Sequence, residues 1–236
     1  MRTIAKRELQ GYFYTPIAYV FIGVFLLLGS IFFIVGNLAT LSPNLLMLLS
    51  NMSYLWMLLS PILTMRLFAN DKKQGTDQLL FSSPVSLSGI VIGKFLAACA
   101  VLLCAVVLSL MYPALIAIYG KLYVKETLVG YLGFLLLGCS FIAVDMFVAS
   151  FSKNQAVAAL SCFGVNLLIW LSALLAQAVN IPLVQRMLQF ISLYDRNQPF
   201  LQGNLSFANV LYSLSMIGIM LFLTVRMLDA KRWSEV

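Results

Sequence analysis

The 236-residue chain holds eight acidic residues, four cysteines and no histidine, and their spacing removes most kinds of chemistry at once. Without imidazole there is neither a Ser-His-Asp hydrolase nor a histidine metal ligand. Cys99, Cys104, Cys139 and Cys162 lie inside apolar stretches without a CxxC spacing. They suggest neither a zinc site nor a disulfide framework, and read as small apolar residues. The acids are scattered, with no pair inside an apolar stretch to work as a carboxylate dyad. The nearest approach to a phosphate loop, Gly89-Ile90-Val91-Ile92-Gly93-Lys94-Phe95, lacks the four-residue gap and the hydroxyl residue after lysine. Gly89 and Gly93 instead match the small-xxx-small spacing of a helix contact. The chain itself is therefore expected to be no enzyme and to hold no cofactor or metal.

Two polar features remain. Asp145 lies within an apolar stretch, near its end, where it can hydrate or pair with a basic neighbour such as Lys94 or Lys153. It reads either as a border residue that orients its helix or as a buried polar contact that moves when one side of the protein rearranges, a polar residue for gating. The second feature is the polar island Ala69–Val85. Gly75 permits a turn, Thr76 can accept from the free amides beyond it, Asp77 suits the positive end of a helix dipole, and Ser83-Pro84 stops the helix within about two turns. A helix this short needs another surface for Leu79, Leu80 and Phe81. The candidates are the membrane face and a soluble partner.

The elements that position these features are membrane spans. With 62% hydrophobic and 10% charged residues and a mean hydropathy of +0.98, the chain reads as an all-α integral membrane protein, a single six-helix unit over 1–236. The spans are expected at about Ile17–Val35, Leu45–Met65, Leu87–Ile118, Leu128–Ala149, Ala156–Val179 and Ala208–Val225, the third being long enough to tilt or to project beyond the lipid. They are continuous apolar runs, so they are helices and not strands of a barrel.

With both termini in the cytoplasm, eleven of the fifteen Lys and Arg residues face inward, and only Lys121, Lys125, Arg186 and Arg196 face outward. That border placement explains the net charge of +7 through anionic lipid headgroups, with no nucleic acid as partner. Residues 1–15 place Ala5, Leu9, Tyr12 and Phe13 at helical spacing with Arg2, Lys6 and Gln10 mostly opposite, as in an interfacial elbow helix. Pro16 allows a break before the first span. That first apolar stretch is a full span in length, without a convincing small-x-small cleavage pattern, and is expected to be retained. Residues 180–207 carry Pro182, Pro199 and Gly203 among Leu188, Phe190, Ile191 and Leu193. This segment is too broken for a span and too apolar for a free loop. It either closes the outer mouth of a path or simply packs against the first and sixth spans.

The run Thr64-Met65-Arg66-Leu67-Phe68-Ala69, the island with Gly75-Thr76 and Leu79-Leu80, then Ser83-Pro84-Val85 and Gly93-Lys94, resemble the central signature of type-2 ABC transporter permeases. Ser150-Phe151-Ser152-Lys153-Asn154-Gln155-Ala156 is similar to that family's loop between the fourth and fifth spans, and the tail from Phe190 to Leu228 resembles its gliding-motility-associated branch. The chain departs from the pattern at Asn70-Asp71-Lys72-Lys73, where the family often has glutamate and arginine, and at Asp77, commonly apolar there.

The resemblance implies an interfacial elbow helix, six spans, a cytoplasmic coupling helix within 70–86, and a short extracellular re-entrant region before the last span. It implies a bacterial inner-membrane exporter subunit that pairs with a second permease chain, identical or related, docks two ABC ATPase subunits carrying ATP and Mg, and works beside membrane lipid and an auxiliary envelope protein. ATPase coupling would fall to Asp71, Lys72, Lys73, Gly75, Thr76, Asp77, Leu79, Leu80, Phe81, Pro84, Ser152, Lys153, Asn154 and Gln155. A non-transporting scaffold that signals through an ATPase to an envelope or motility machine would share these contacts. An ion-coupled carrier should show repeated halves and paired intramembrane ionisable residues, and neither is visible here.

Overall fold

The computed structural model describes residues 2–74, 86–152, 154–178, 185 and 192–234, with side chains described except at 2–3, 69–74, 177–178 and 231–234. Among these residues the regular structure is entirely helical. An N-terminal helix α1 (Arg2–Tyr14) is followed by α2 (Ile17–Phe33), which ends in a π-helical turn, Ile34–Leu38. Then come α3 (Leu46–Gln74), α4 (Leu87–Ser109), α5 (Met111–Tyr119), α6 (Val124–Phe151), α7 (Gln155–Ala178), α8 (Leu193–Leu201) and α9 (Phe207–Ser234).

Among the described residues six helical stretches are long and apolar enough to cross a bilayer: Ile17–Leu38, Leu46–Phe68, Leu87–Tyr119, Val124–Phe151, Gln155–Ala176 and Phe207–Ala230. They coincide with the expected spans to within a few residues. An even number of spans puts α1, the end of α3, the start of α4, the α6–α7 turn and the end of α9 on one side, called here the terminal side.

The third span is a refinement of expectation. Its 33 residues would reach about 50 Å as one helix, well beyond a bilayer core of about 30 Å. It does not run as one helix, because it breaks at Leu110 into α4 and α5. Pro113 has no N–H for the carbonyl of Ser109, four residues back. Tyr131 of α6 supplies the missing donor, its hydroxyl lying 3.0 Å from that carbonyl.

The core lies where α3, α4 and α6 meet, around Trp56, Phe25, Phe134, Phe141 and Leu102, all with almost no exposure. Trp56 takes the edges of Phe21, Phe25 and Phe134 at centroid distances of 5.5, 5.8 and 6.2 Å, the T-shaped geometry that aromatic quadrupoles favour. Helix α8 packs on α6, with contacts to α7, α3 and α9. Its Leu193, Tyr194, Asn197 and Phe200 are buried. The fourth span is thus its main support, where the packing alternative placed the first and sixth. Leu188, Phe190 and Ile191 lie outside the described residues.

Thr15-Pro16 breaks the chain between α1 and α2 as expected. Helix α1 presents Ile4, Ala5, Leu9 and Tyr12 to the protein and leaves Lys6 and Gln10 exposed. It lies chiefly against α4. Gly93 serves this contact: a Cβ on it would stand 3.0 Å from Ile4 Cγ2 and 3.4 Å from the Ala5 backbone nitrogen.

Candidate functional site

Asp145 stands at the centre of a junction between three spans. Its origin is Pro61, inside α3. A proline ring nitrogen cannot bond the carbonyl four residues back, which leaves the buried Met57 carbonyl needing a donor. Asn166 of α7 answers it, with Nδ2 3.2 Å from Met57 O. The same Nδ2 donates to Ser60 Oγ at 3.3 Å, and Ser60 Oγ donates in turn to Asp145 Oδ2 at 2.6 Å. The Cys162 thiol donates to the Asp145 backbone carbonyl at 3.3 Å. Ser60, Asp145 and Asn166 are fully buried. The amide orientation follows from chemistry, since reversing Asn166 would turn its oxygen toward the Met57 carbonyl.

Asp145 is expected from the sequence to hydrate or to pair with Lys94 or Lys153, of which only Lys94 lies among the residues with described side chains. Asp145 lies six residues before the end of α6, fully buried, and its carboxyl bonds Ser60, with Lys94 engaged elsewhere. The chain of bonds leaves Asp145 Oδ1 and Asn166 Oδ1 buried without a partner. Unmade hydrogen bonds on buried acceptors cost about 1–3 kcal/mol each, so this junction carries an energetic cost within the core. Sequence reasoning singles out Asp145 but passes over Ser60, Asn166 and Pro61. A signal for them does exist, because a proline inside an apolar span requires a polar side chain elsewhere to replace the lost donor.

A second polar cluster lies at the terminal side, where α1 meets the ends of α3 and α4. Lys94, 1% exposed, donates to Glu8 at 3.1 Å and to the Leu67 carbonyl, with its ammonium 5.6 Å from the Phe68 ring centroid. Tyr12 donates to the Leu63 carbonyl at 2.7 Å, and Arg66 donates to Thr15 Oγ1 at 2.8 Å. Burial, with the Glu8 charge adding to it, pushes the Tyr12 phenol above its ordinary range, so Tyr12 remains a neutral donor. A cavity of about 50 Å³ between Glu8, Gly11, Tyr12, Arg66 and Leu67 adjoins this cluster, room for about one or two waters.

Of the coupling residues, Asp71, Lys72 and Lys73 lie on the last turns of α3, with side chains outside the description. Gly75, Thr76, Asp77, Leu79, Leu80, Phe81, Pro84 and Lys153 lie outside the described residues. Ser152 ends α6, its amide bonded to Ala149 O at 3.2 Å. Exposed Asn154 starts α7 by accepting from the Ala156 amide at 2.9 Å, with Gln155 half-buried beside it. The tight turn between α6 and α7 thus stands on the same side as the end of α3. Among the described residues no group of three or more Cys, Asp or Glu is placed to hold a metal. A larger cavity of about 510 Å³ is an apolar groove between the α1–α2 corner and α4, lined by Phe13, Tyr19, Ile22, Leu103, Val107 and Leu108 among others.

No curated protein matches the chain. Residues 3–229 match the profile of a family described as ABC-2 family transporter protein, a match that takes in the elbow, all six spans and both polar clusters. The chain belongs to the ABC-2 transporter family, as a membrane permease component.

Proposed function

We propose that the chain is the permease half of an ATP-driven exporter of the bacterial inner membrane. Two permease chains form the path between them, and two separate ABC ATPases with ATP and Mg dock from the cytoplasm. The gliding-motility branch is the reading favoured by the resemblance of the tail from Phe190 to Leu228. The carrying observation is the reach of α3. In the sequence the apolar run gives way after Phe68-Ala69 to Asn70-Asp71-Lys72-Lys73-Gln74, yet the helix continues to Gln74. The six residues after Phe68 extend the helix by about 9 Å, mostly beyond its apolar run. Helix α4 then restarts at once, with Ser86 Oγ accepting from the Gly89 amide at 3.3 Å. A short, partly polar sequence joining the ends of two spans on the terminal side suits a coupling helix, with Ser152–Gln155 as a second contact on the same side. Nucleotide-driven closure of the ATPases would displace it and repack the two halves.

The test replaces Leu80 or Phe81 with aspartate, which puts a charge into the apolar contact with the ATPase, where an unpaired buried charge is strongly unfavourable. The permease should reach the membrane in normal amounts and lose ATPase association, or lose at least 10-fold of the stimulated hydrolysis. Leu205→Asp, at an exposed position between α8 and α9 on the opposite side, should leave both intact. Full ATPase binding and activity in both Leu80→Asp and Phe81→Asp would sink the coupling assignment.

A further inference from the structure

The cluster around Lys94 is positioned with respect to the 75–85 segment, and its bonds run in a triangle. One side joins α1 to α3 through Tyr12 on the Leu63 carbonyl and Arg66 on Thr15. A second joins α1 to α4 through the Glu8–Lys94 pair and the close seat of Ile4 on Gly93. The third joins α4 to α3 through Lys94 on the Leu67 carbonyl. Leu67 lies about two turns before Gly75, and Lys94 about two turns after Ser86. Both roots of the segment are therefore tied to the elbow helix, and to each other, at nearly the same distance from it.

We infer that Glu8 and Lys94 form a clasp by which the elbow helix holds the two roots of the 75–85 segment at a fixed spacing, so that α1, the end of α3 and the start of α4 move as one body. The inference rests on the proposed coupling role only for its functional consequence. The Lys94 side chain is 2% exposed and that of Glu8 17%. A buried ammonium cannot leave this place without giving up both the Leu67 carbonyl and Glu8, whose Oε1 would keep only exposed Arg7 at 3.0 Å, so loosening at Lys94 is unfavourable. A push on the segment therefore carries the elbow along instead of splaying α3 from α4. Glu8 and Lys94 are positioning residues, since they act through the helices they join.

Spin labels at Ile62 on α3 and Ser88 on α4, both exposed, report the root spacing in the full chain in nanodiscs after the four native cysteines are replaced by serine or alanine. With Lys94→Met or Glu8→Gln the distance distribution should broaden at least twofold, and Lys94→Arg should restore it. In the complex with its co-purified ATPase, Lys94→Met should keep the ATPase bound at normal stoichiometry and lose at least fivefold of the permease-dependent stimulation, with Lys94→Arg again restoring it. A purely structural anchor would lower yield and melting temperature without this selective loss. An unchanged distance distribution in Lys94→Met overturns the clasp, and so does full stimulation in both Lys94→Met and Glu8→Gln. The label measurement needs no ATPase, so it decides the clasp even if Leu80→Asp and Phe81→Asp show the coupling reading to be wrong.

Discussion

Two of the buried polar contacts between spans answer carbonyls released by prolines. Pro61 and Pro113 each free a backbone acceptor inside a span, and each acceptor is met by a side chain from a neighbouring span, Asn166 in one case and Tyr131 in the other. The Asn166 bond is thus conditional on Pro61, which can be tested directly. Asn166→Ala should destabilise the protein by about 1–3 kcal/mol, because Met57 O is then buried without a donor. In a Pro61→Ala background, residue 61 regains an N–H that can reach Met57 O, and the same Asn166→Ala change should cost about 1 kcal/mol less. The remainder is the bond to Ser60 Oγ, which the alanine at 61 does not replace. Unfolding in mixed micelles, followed for the four members of the cycle, measures the difference. Strictly additive effects would show that Asn166 is held by something other than the proline-freed carbonyl.

Between elements, a glycine on α6 lets α8 sit close against it. A Cβ built on Gly133 would stand 2.4 Å from Phe200 Cβ and 2.8 Å from Asn197 Oδ1, too close for either to yield without moving the helix. Gly133→Ala should therefore push α8 off α6, and a cysteine at buried Phe200 should become at least fivefold more reactive to a maleimide. Gly164→Ala on α7, where a Cβ meets nothing within 4 Å, is the matched control and should change nothing. Such contacts mark the limit of what the chain reveals before it folds. The six spans were legible because the length of an apolar run is a local property. The seat of the elbow on α4 was not, since Glu8 lies on the helix face that periodicity assigns to apolar contact and only its meeting with Lys94 explains it there. Asp145 was legible as an anomaly, while its partner was not: Ser60 is 85 residues away in sequence and an ordinary residue in a span. The Leu79–Phe81 contact is proposed from its composition alone.

At the scale of the molecule, burial divides the spans into two groups, with 56, 61 and 67% of the second, third and fourth spans' most apolar windows buried, against 33, 22 and 17% for the first, fifth and sixth. The single chain therefore packs around an inner trio and leaves a wide apolar periphery on the first, fifth and sixth spans, which lipid or the proposed second permease chain would cover. Which side of the membrane holds the elbow depends on the balance of charge at the two faces. Lys94 is neutralised by Glu8, so it should be discounted from the eleven basic residues on the terminal side, and ten still oppose Lys121, Lys125, Arg186 and Arg196. The bias survives the correction, and by the positive-inside rule the elbow is expected on the cytoplasmic side. Single cysteines at Gln10, Tyr123 and Leu205, all exposed, test this in intact cells on a background without the native thiols. A membrane-impermeant maleimide should label Tyr123→Cys and Leu205→Cys from outside and reach Gln10→Cys only after the cells are opened. The reverse pattern would put the 75–85 segment on the side away from ATP, and no ATPase could then drive the chain through it.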